Sequence, residues 1–227
     1  MARRFGLRFY RRSQFTLPKS VKVNGTDVPL VYPGEEGVGM DFFGCLIADS
    51  YGLRTAKNPM RIADVGANLG FFSIAARAWF PSAQIHAYEP NPRAVDYLRK
   101  NTSGLGVDLW TEAVGRSEGW VEIVDGADSN RARTRPSDSG VRQVPLRTVV
   151  ARMGGHIDLA KIDCEGAEWE MFADPGGWVG IRSVRMEYHL WGVRTFGEVA
   201  ATMDRLGFDI VAHFPEGQWG TIWADRR

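Results

Sequence analysis

The stretch RIADVGANLGFFSIAARAWF, residues 61–80, constrains the chain more than any other. A short apolar run, 62–65, is broken only by Asp64, and the glycine-rich turn Gly66-Ala67-Asn68-Leu69-Gly70 follows it. A helical pattern comes next, with Phe71, Ile74, Ala75 and Ala78 on one face. Strand, glycine turn and helix in this order open a nucleotide site in an α/β sheet. Glycine lets backbone approach a ligand where a Cβ would collide, and the first N–H groups of the new helix face the crevice. The next apolar run, 85–88, ends at Glu89, where an acid accepts bonds from both hydroxyls of a ribose.

The glycine spacing separates two ligands. A dinucleotide fingerprint, G-x-G-x-x-G, keeps its middle glycine under the pyrophosphate. Here that position is Asn68, and the pattern is D-x-G-x-x-x-G. No pyrophosphate need be cradled, which favours S-adenosylmethionine (SAM), a ligand with ribose and adenine but no phosphate. An unliganded strand-to-helix turn is the structural alternative, and a redox nucleotide is the chemical one.

Apolar periodicity predicts strands near 61–65, 84–89, 107–112, 157–163, 181–187, 208–213 and 219–224, and helices near 70–79, 92–102, 146–153, 167–173 and 195–206. Such alternation implies a mostly parallel sheet covered on both faces. Only FPEGQW separates the last two strands, so they pair as an antiparallel hairpin. Residues 119–124 suggest a further strand, and the polar DGADSNRARTRPSDSG, 125–140, reads as a mobile loop or lid. Residues 1–60 form an N-terminal arm and helical cap ahead of a single globular domain, 61–227. Within the arm, 21–30 read as a small hairpin, YPGEEGVGMDFFG as loop, and 45–51 as helix. The arginines and aromatics of MARRFGLRFYRRSQF belong either to an arm covering the sheet or to a basic patch for an anionic substrate or membrane surface.

Bulk numbers exclude several classes. At 227 residues, with 44% hydrophobic and 24% charged, the chain is ordinary for one soluble α/β domain. A net charge of +1 gives no sign of a nucleic-acid partner. Two cysteines make no disulfide framework, no apolar run approaches a transmembrane length, and the N-terminus lacks a secretory core. A cytoplasmic location is expected; oligomeric state, homo-oligomer included, is left open.

Ligands bind beyond the carboxyl ends of the strands in such sheets. Those ends collect Asp64 and the turn; Glu89, Pro90 and Asn91; Glu112, Ala113 and Val114; Asp163, Cys164, Glu165 and Gly166; and Glu187, Tyr188 and His189. Two acids flanking a cysteine are costly to bury unless paired or functional, although an acid also caps a helix start. Lys161 offers a partial counter-charge.

The blocks DVGANLGFFSI, AYEPNP, VPLRTVV, DLAKIDCEGAEWEMF and RMEYH, in order across 64–189, resemble the successive motifs of the FkbM family of SAM-dependent methyltransferases. KIDCEGAE is the most specific of them; LRT at 146–148 departs from the family, which commonly has leucine and two acids there. The resemblance implies a class I methyltransferase fold of Rossmann type, seven-stranded and mostly parallel, with an antiparallel last strand. It implies O-methylation of a sugar, glycolipid or secondary metabolite, with N-methylation of an amide or peptide, or non-catalytic SAM binding, as alternatives. On this chain Asp64, Gly66, Asn68 and Gly70, flanked by Phe71, hold the methionine end. Glu89 with Pro90 takes the ribose, and Glu112 and Ala113 meet the adenine. Asp163 and Glu165 face the small-molecule or glycan acceptor. His189, oriented by Glu187, and Asp163 are the candidate bases. A magnesium ion on Asp163, Glu165 and Glu187 is the rival, less favoured arrangement.

Overall fold

In the computed structural model, residues 2–7, 16–124, 126, 128 and 132–227 are described. The N-terminal hairpin is present as β1 (Ser20–Val23) and β2 (Thr26–Pro29), turning at Asn24-Gly25, both with positive φ. A helix then runs from α1 (Gly37–Phe42) without a break into a π-helical turn, Phe43–Ala48. The helix expected at 45–51 therefore begins in the stretch read as loop. Val38, Phe42 and Leu46 recur every fourth residue and are all buried, so one apolar stripe carries the helix through the three glycines of GVGMDFFG.

The main domain comprises β3 (Arg61–Val65), α2 (Phe71–Trp79), β4 (Gln84–Tyr88), α3 (Pro92–Asn101), β5 (Val107–Trp110), β6 (Ala113–Gly115), β7 (Gly119–Val124), β8 (Arg133–Ser137), β9 (Val141–Pro145), α4 (Leu146–Arg152), β10 (Leu159–Ile162), α5 (Glu168–Phe172), β11 (Ser183–His189), α6 (Phe196–Arg205), β12 (Phe208–Pro215) and β13 (Trp219–Arg226). A seven-stranded sheet runs in the order β12-β13-β11-β10-β3-β4-β5. From β11 to β5 the neighbours are parallel; β13 is antiparallel to both β11 and β12. This is the mixed sheet, closed by a C-terminal hairpin, that the alternation of elements predicts.

Two expectations about the middle of the chain need correction. The third main strand stops at Trp110 rather than running to 112, and Ala113 starts a second, four-stranded sheet in the order β6-β9-β7-β8. Part of the expected 125–140 loop is strand: β8 pairs antiparallel with β7 from Val124↔Arg133 to Trp120↔Ser137. Its sequence, RTRPS, is that of an edge strand, polar and carrying a proline, which is why it reads as loop. Residues 125, 127 and 129–131 of that stretch lie outside the described residues.

Alternate residues of the central strands feed two cores. Ile62 and Leu159 face the hairpin, the helix at 37–48 and α2, whereas Ala63, Val65, Ala160 and Ile162 face the side holding Leu146, Met171 and Trp178. The N-terminal segment shares the first core. Phe5 is buried in it, and the Arg4 guanidinium bonds the Ala78 carbonyl and lies 4.1 Å from the Trp79 ring centre. For residues 2–7 the covering-arm reading fits; the expectations for 8–15 fall outside the described residues. No helix among the described residues is long and apolar enough to cross a membrane.

Candidate active site

The turn after β3 is built by alternating left-handed residues, Gly66 (φ 75°), Asn68 (φ 44°) and Gly70 (φ 85°). A Cβ on Gly66 would sit 1.7 Å from the Asp163 carbonyl oxygen, and one on Gly70 would sit 2.7 Å from Leu98 Cδ1. Both glycines are thus required by packing, of the turn against β10 and of α2 against α3, rather than by the approach of a ligand. Nor are the turn's first N–H groups free. Gly66 and Ala67 donate to the Tyr88 carbonyl at 3.0 and 2.9 Å, Gly70 donates to Ala67, and Asn68 donates to Glu89 Oε2 at 2.7 Å.

Glu89 is consequently a fixed acceptor. Its second oxygen takes the Asn91 N–H at 2.7 Å, leaving a lone pair on each oxygen. Only 6% of the residue is exposed. Burial pushes its pKa up to about 7, against the downward pull of the Asn91 and Asn68 N–H groups.

Asp64 lies beneath the site rather than in it. It is fully buried, accepts from Ser73 Oγ at 2.7 Å, and pairs with Lys161 at 3.5 Å. Lys161 Nζ donates to the Gly66 carbonyl and stands 3.4 Å from Asp163. Burial would discharge this ammonium, but Asp163 and Asp64 overcompensate and raise its pKa. One buried cation thereby fixes the ends of β3 and β10 together.

Above these strand ends opens a cavity of about 740 Å³, inside the range of about 300–1,000 Å³ for small-molecule sites. It brings together Gly66, Asn68, Phe71, Glu89, Pro90, Glu112, Ala113, Asp163, Glu165 and Glu187 of the expected residues. Asp64, Gly70 and His189 are not among its lining residues. Glu112 is committed elsewhere in part: Arg152 grips both its oxygens at 2.5 and 3.2 Å, and Arg142 stands 3.5 Å away. The Arg152 guanidinium also lies 3.7 Å from the Trp110 ring centre, so the pair fixes the wall where β5 gives way to β6.

The helical cap expected ahead of the domain forms the roof, held by contacts that sequence reasoning missed. Asp41 accepts from Asn68 Nδ2 at 2.9 Å, and Tyr51 Oη donates to Asp163 Oδ2 at 2.8 Å. The Trp223 indole donates to the Ser50 carbonyl, and its ring packs against Gly52 (φ 62°). The helix at 37–48 is thus pinned over the cavity by contacts from distant strands, which no local pattern announces. Thr134 of β8 and Glu216, Trp219 and Thr221 of the C-terminal hairpin line the remaining wall. The Gly37 N–H donates to Asp128 Oδ2 at 3.2 Å, joining the start of α1 to the chain beyond β7.

The cavity wall beyond β10 and β11 is acidic. Glu165, held at φ 50°, and Glu187 both line the cavity. Burial, reinforced by neighbouring negative charge, pushes them up to about 7 and about 8. His189 lies behind them, 3.5 Å from Glu165, 3.4 Å from Glu187 and 3.7 Å from Glu168. Burial would lower its pKa, but the carboxylates of Glu168, Glu187 and Glu165 raise it to about 10. Its place behind the wall, with the ring engaged by three carboxylates, argues against a base acting on a cavity ligand.

Residues 64–210 match the methyltransferase FkbM domain. The methyltransferase sdnD of Sordaria araneosa is similar at 26% identity, over 75% of this chain and 83% of that protein. Among solved structures, the ribosomal protein L11 methylase of Lactobacillus delbrueckii subsp. bulgaricus superposes with a TM-score of 0.51 at 13% identity, covering 87% of this chain and 82% of that one. The fibrillarin pre-rRNA processing protein of Methanococcus jannaschii gives 0.51 at 13% identity, covering 75% and 68%. These two likenesses concern the fold alone.

Proposed function

The chain belongs to the methyltransferase FkbM family, and from that premise we propose that it transfers a methyl group from SAM to a hydroxyl oxygen of a small sugar-like, glycolipid or secondary-metabolite acceptor. One observation carries the reading. The cavity over β3, β4, β10 and β11 has a fixed carboxylate, Glu89, at one end and the acidic wall of Asp163, Glu165 and Glu187 at the other.

These residues fit the cofactor. The free lone pairs of Glu89 match two ribose hydroxyls. Ala113 and Val114 offer an apolar wall for adenine, braced by Glu112 and Arg152. Asp163, on the cavity wall, would supply negative charge to a ligand that bears both an ammonium and a sulfonium. Gly66, Asn68, Gly70 and Asp64 shape and brace the turn beneath it. When bound, SAM supplies an electrophilic methyl, whose bond to sulfur breaks onto the sulfur as the acceptor oxygen's lone pair forms the new O–C bond.

The chain's own residues then have three tasks. The roof at 37–51 and the wall of β8 and β13 exclude water and hold the acceptor in line, an effect worth roughly 7–11 kcal/mol in favourable cases. Tyr51 and Lys161 hold Asp163 in one orientation. The acceptor's proton leaves to the acidic wall, and Asp163 is the carboxylate we assign to receive it, in preference to His189.

Titration calorimetry with S-adenosylhomocysteine, followed by transfer of labelled methyl from SAM to a panel of hydroxylated and amide acceptors, tests the reading. Micromolar binding and label on oxygen support it. A folded protein that binds no S-adenosylhomocysteine sinks it, and label on nitrogen alone replaces the acceptor class.

A further inference from the structure

Glu165, Glu187 and His189 each offer one ligand atom, and the three atoms lie within 4.8 Å of one another. His189 Nε2 stands 3.5 Å from Glu165 Oε2 and 3.4 Å from Glu187 Oε1. Both gaps exceed the usual N–H···O range of about 2.7–3.2 Å. They match instead the ligand-to-ligand edge, about 3.4 Å, of a tetrahedral ion with ligands at about 2.0–2.1 Å.

A second observation points the same way. His189 is only 5% exposed, and among the described residues its Nδ1 has no hydrogen-bond partner. Nδ1 faces Glu168 Oε1 at 3.7 Å, and the fully buried Glu168 also keeps Oε2 unpartnered. A ring whose Nδ1 faces a buried carboxylate while Nε2 points between two more is the arrangement of a metal-bound histidine with its orienting acid. The position is enforced from outside. The Trp169 indole holds the His189 carbonyl at 2.7 Å, and Trp191 lies 4.9 Å from the imidazole, pressed against Gly166.

We propose that Glu165, Glu187 and His189 form a site for one divalent metal ion of the manganese–zinc class, with Glu168 as the residue that positions His189. Two carboxylates and one imidazole mix the donors preferred by manganese and by zinc. Glu165 and Glu187 line the cavity and His189 lies behind them, so three protein ligands sit on one side and the open coordination positions face the acceptor. This set differs from one built on Asp163, which Lys161 and Tyr51 already engage. The ion's role as a Lewis acid on the acceptor oxygen rests on the methyl-transfer reading; its binding does not.

The test uses the full chain freed of metal by chelator, without SAM or acceptor. Manganese binding is followed by electron paramagnetic resonance and zinc binding by calorimetry. One ion per chain is expected for at least one of the two metals. Glu187→Gln and His189→Gln should each weaken it at least about tenfold, and Glu168→Gln by about 10–100-fold. Circular dichroism and S-adenosylhomocysteine binding of each variant separate ligand loss from unfolding. A wild-type chain that binds neither metal overturns the proposal, as does equal affinity in folded Glu187→Gln and His189→Gln. Metal binding without S-adenosylhomocysteine binding keeps the site and removes the cofactor reading; the converse keeps the cofactor reading and removes the site.

Discussion

Burial raises the pKa of the Glu89 carboxyl to about 7, more than the Asn91 and Asn68 N–H groups lower it. The sign of the linkage follows. A carboxyl raised from 4.5 to about 7 in the fold contributes stability that is fully present below pH 4.5 and is lost as pH rises through 7. The amount is on the order of 3 kcal/mol. Ribose hydroxyls prefer the ionised form, so the protein should bind S-adenosylhomocysteine about tenfold more weakly at pH 6 than at pH 8. Glu89→Gln should flatten that dependence, and Glu89→Ala should cost about 1.5–3 kcal/mol of affinity at pH 8. Calorimetry across pH measures both; a profile as steep in Glu89→Gln as in wild type would take Glu89 out of the role. The position of this acid at a strand end beside the cavity was legible in the sequence. Its two N–H partners were not, because they depend on Asn68 adopting φ 44°. Glu112 shows the same limit more sharply: its partner Arg152 is 40 residues away, so its commitment to a salt bridge could not be read from TEAVG.

At the scale of elements, strand, turn and helix were legible because their apolar periods are local. The reason for the glycines was not. Gly66 answers to the carbonyl of Asp163, almost a hundred residues on, and Gly70 to side chains of α3. This difference sets an order of severity. In Gly66→Ala the new Cβ meets backbone at 1.7 Å with φ at 75°, and neither strand end can retreat without breaking the sheet. In Gly70→Ala it meets the far ends of Leu98 and Thr102 at 2.7 and 3.0 Å, which can rotate. Gly66→Ala should therefore lose more than about 4 kcal/mol or fail to fold, and Gly70→Ala about 1–3 kcal/mol. Urea unfolding of the two variants decides it; equal midpoints would show that the turn yields more than its packing implies. The roof helix was half legible, since Val38, Phe42 and Leu46 repeat every fourth residue, but Gly37 and Gly39 masked the start. The second sheet was obscured by polar edge strands whose partners are defined only in three dimensions. Tyr51→Phe isolates the roof's chemical contact: it deletes one hydrogen bond to Asp163 while leaving the packing on Phe72. Methyl transfer should fall roughly tenfold with S-adenosylhomocysteine affinity nearly unchanged. An unchanged rate would relieve Tyr51 of orienting Asp163.

Across the whole molecule, the cavity lies between a roof and a sheet that share one core. Phe42, Leu46 and Leu53 belong to the same buried cluster as Ile62, Phe71 and Ile85, so lifting the roof would expose the centre of the protein. Ligand entry is therefore predicted through a mouth on the side where Gly37 meets Asp128 in a part-buried hydrogen bond and Met40 and Phe43 stand 70% and 49% exposed. Hydrogen exchange should divide the roof accordingly. Amides at 42–53 should be protected with or without ligand, while those at 37–41 and 132–134 should exchange readily and slow on binding. The same linkage predicts a thermal shift. A ligand at 100 times its dissociation constant stabilises the fold by about 2.7 kcal/mol, and at about 2–4 °C per kcal/mol for a chain of this size the melting temperature should rise by about 5–11 °C. Ligand protection spread uniformly over 37–53 would mean that the roof moves as a unit despite its buried stripe, and entry would then proceed by undocking rather than through the mouth.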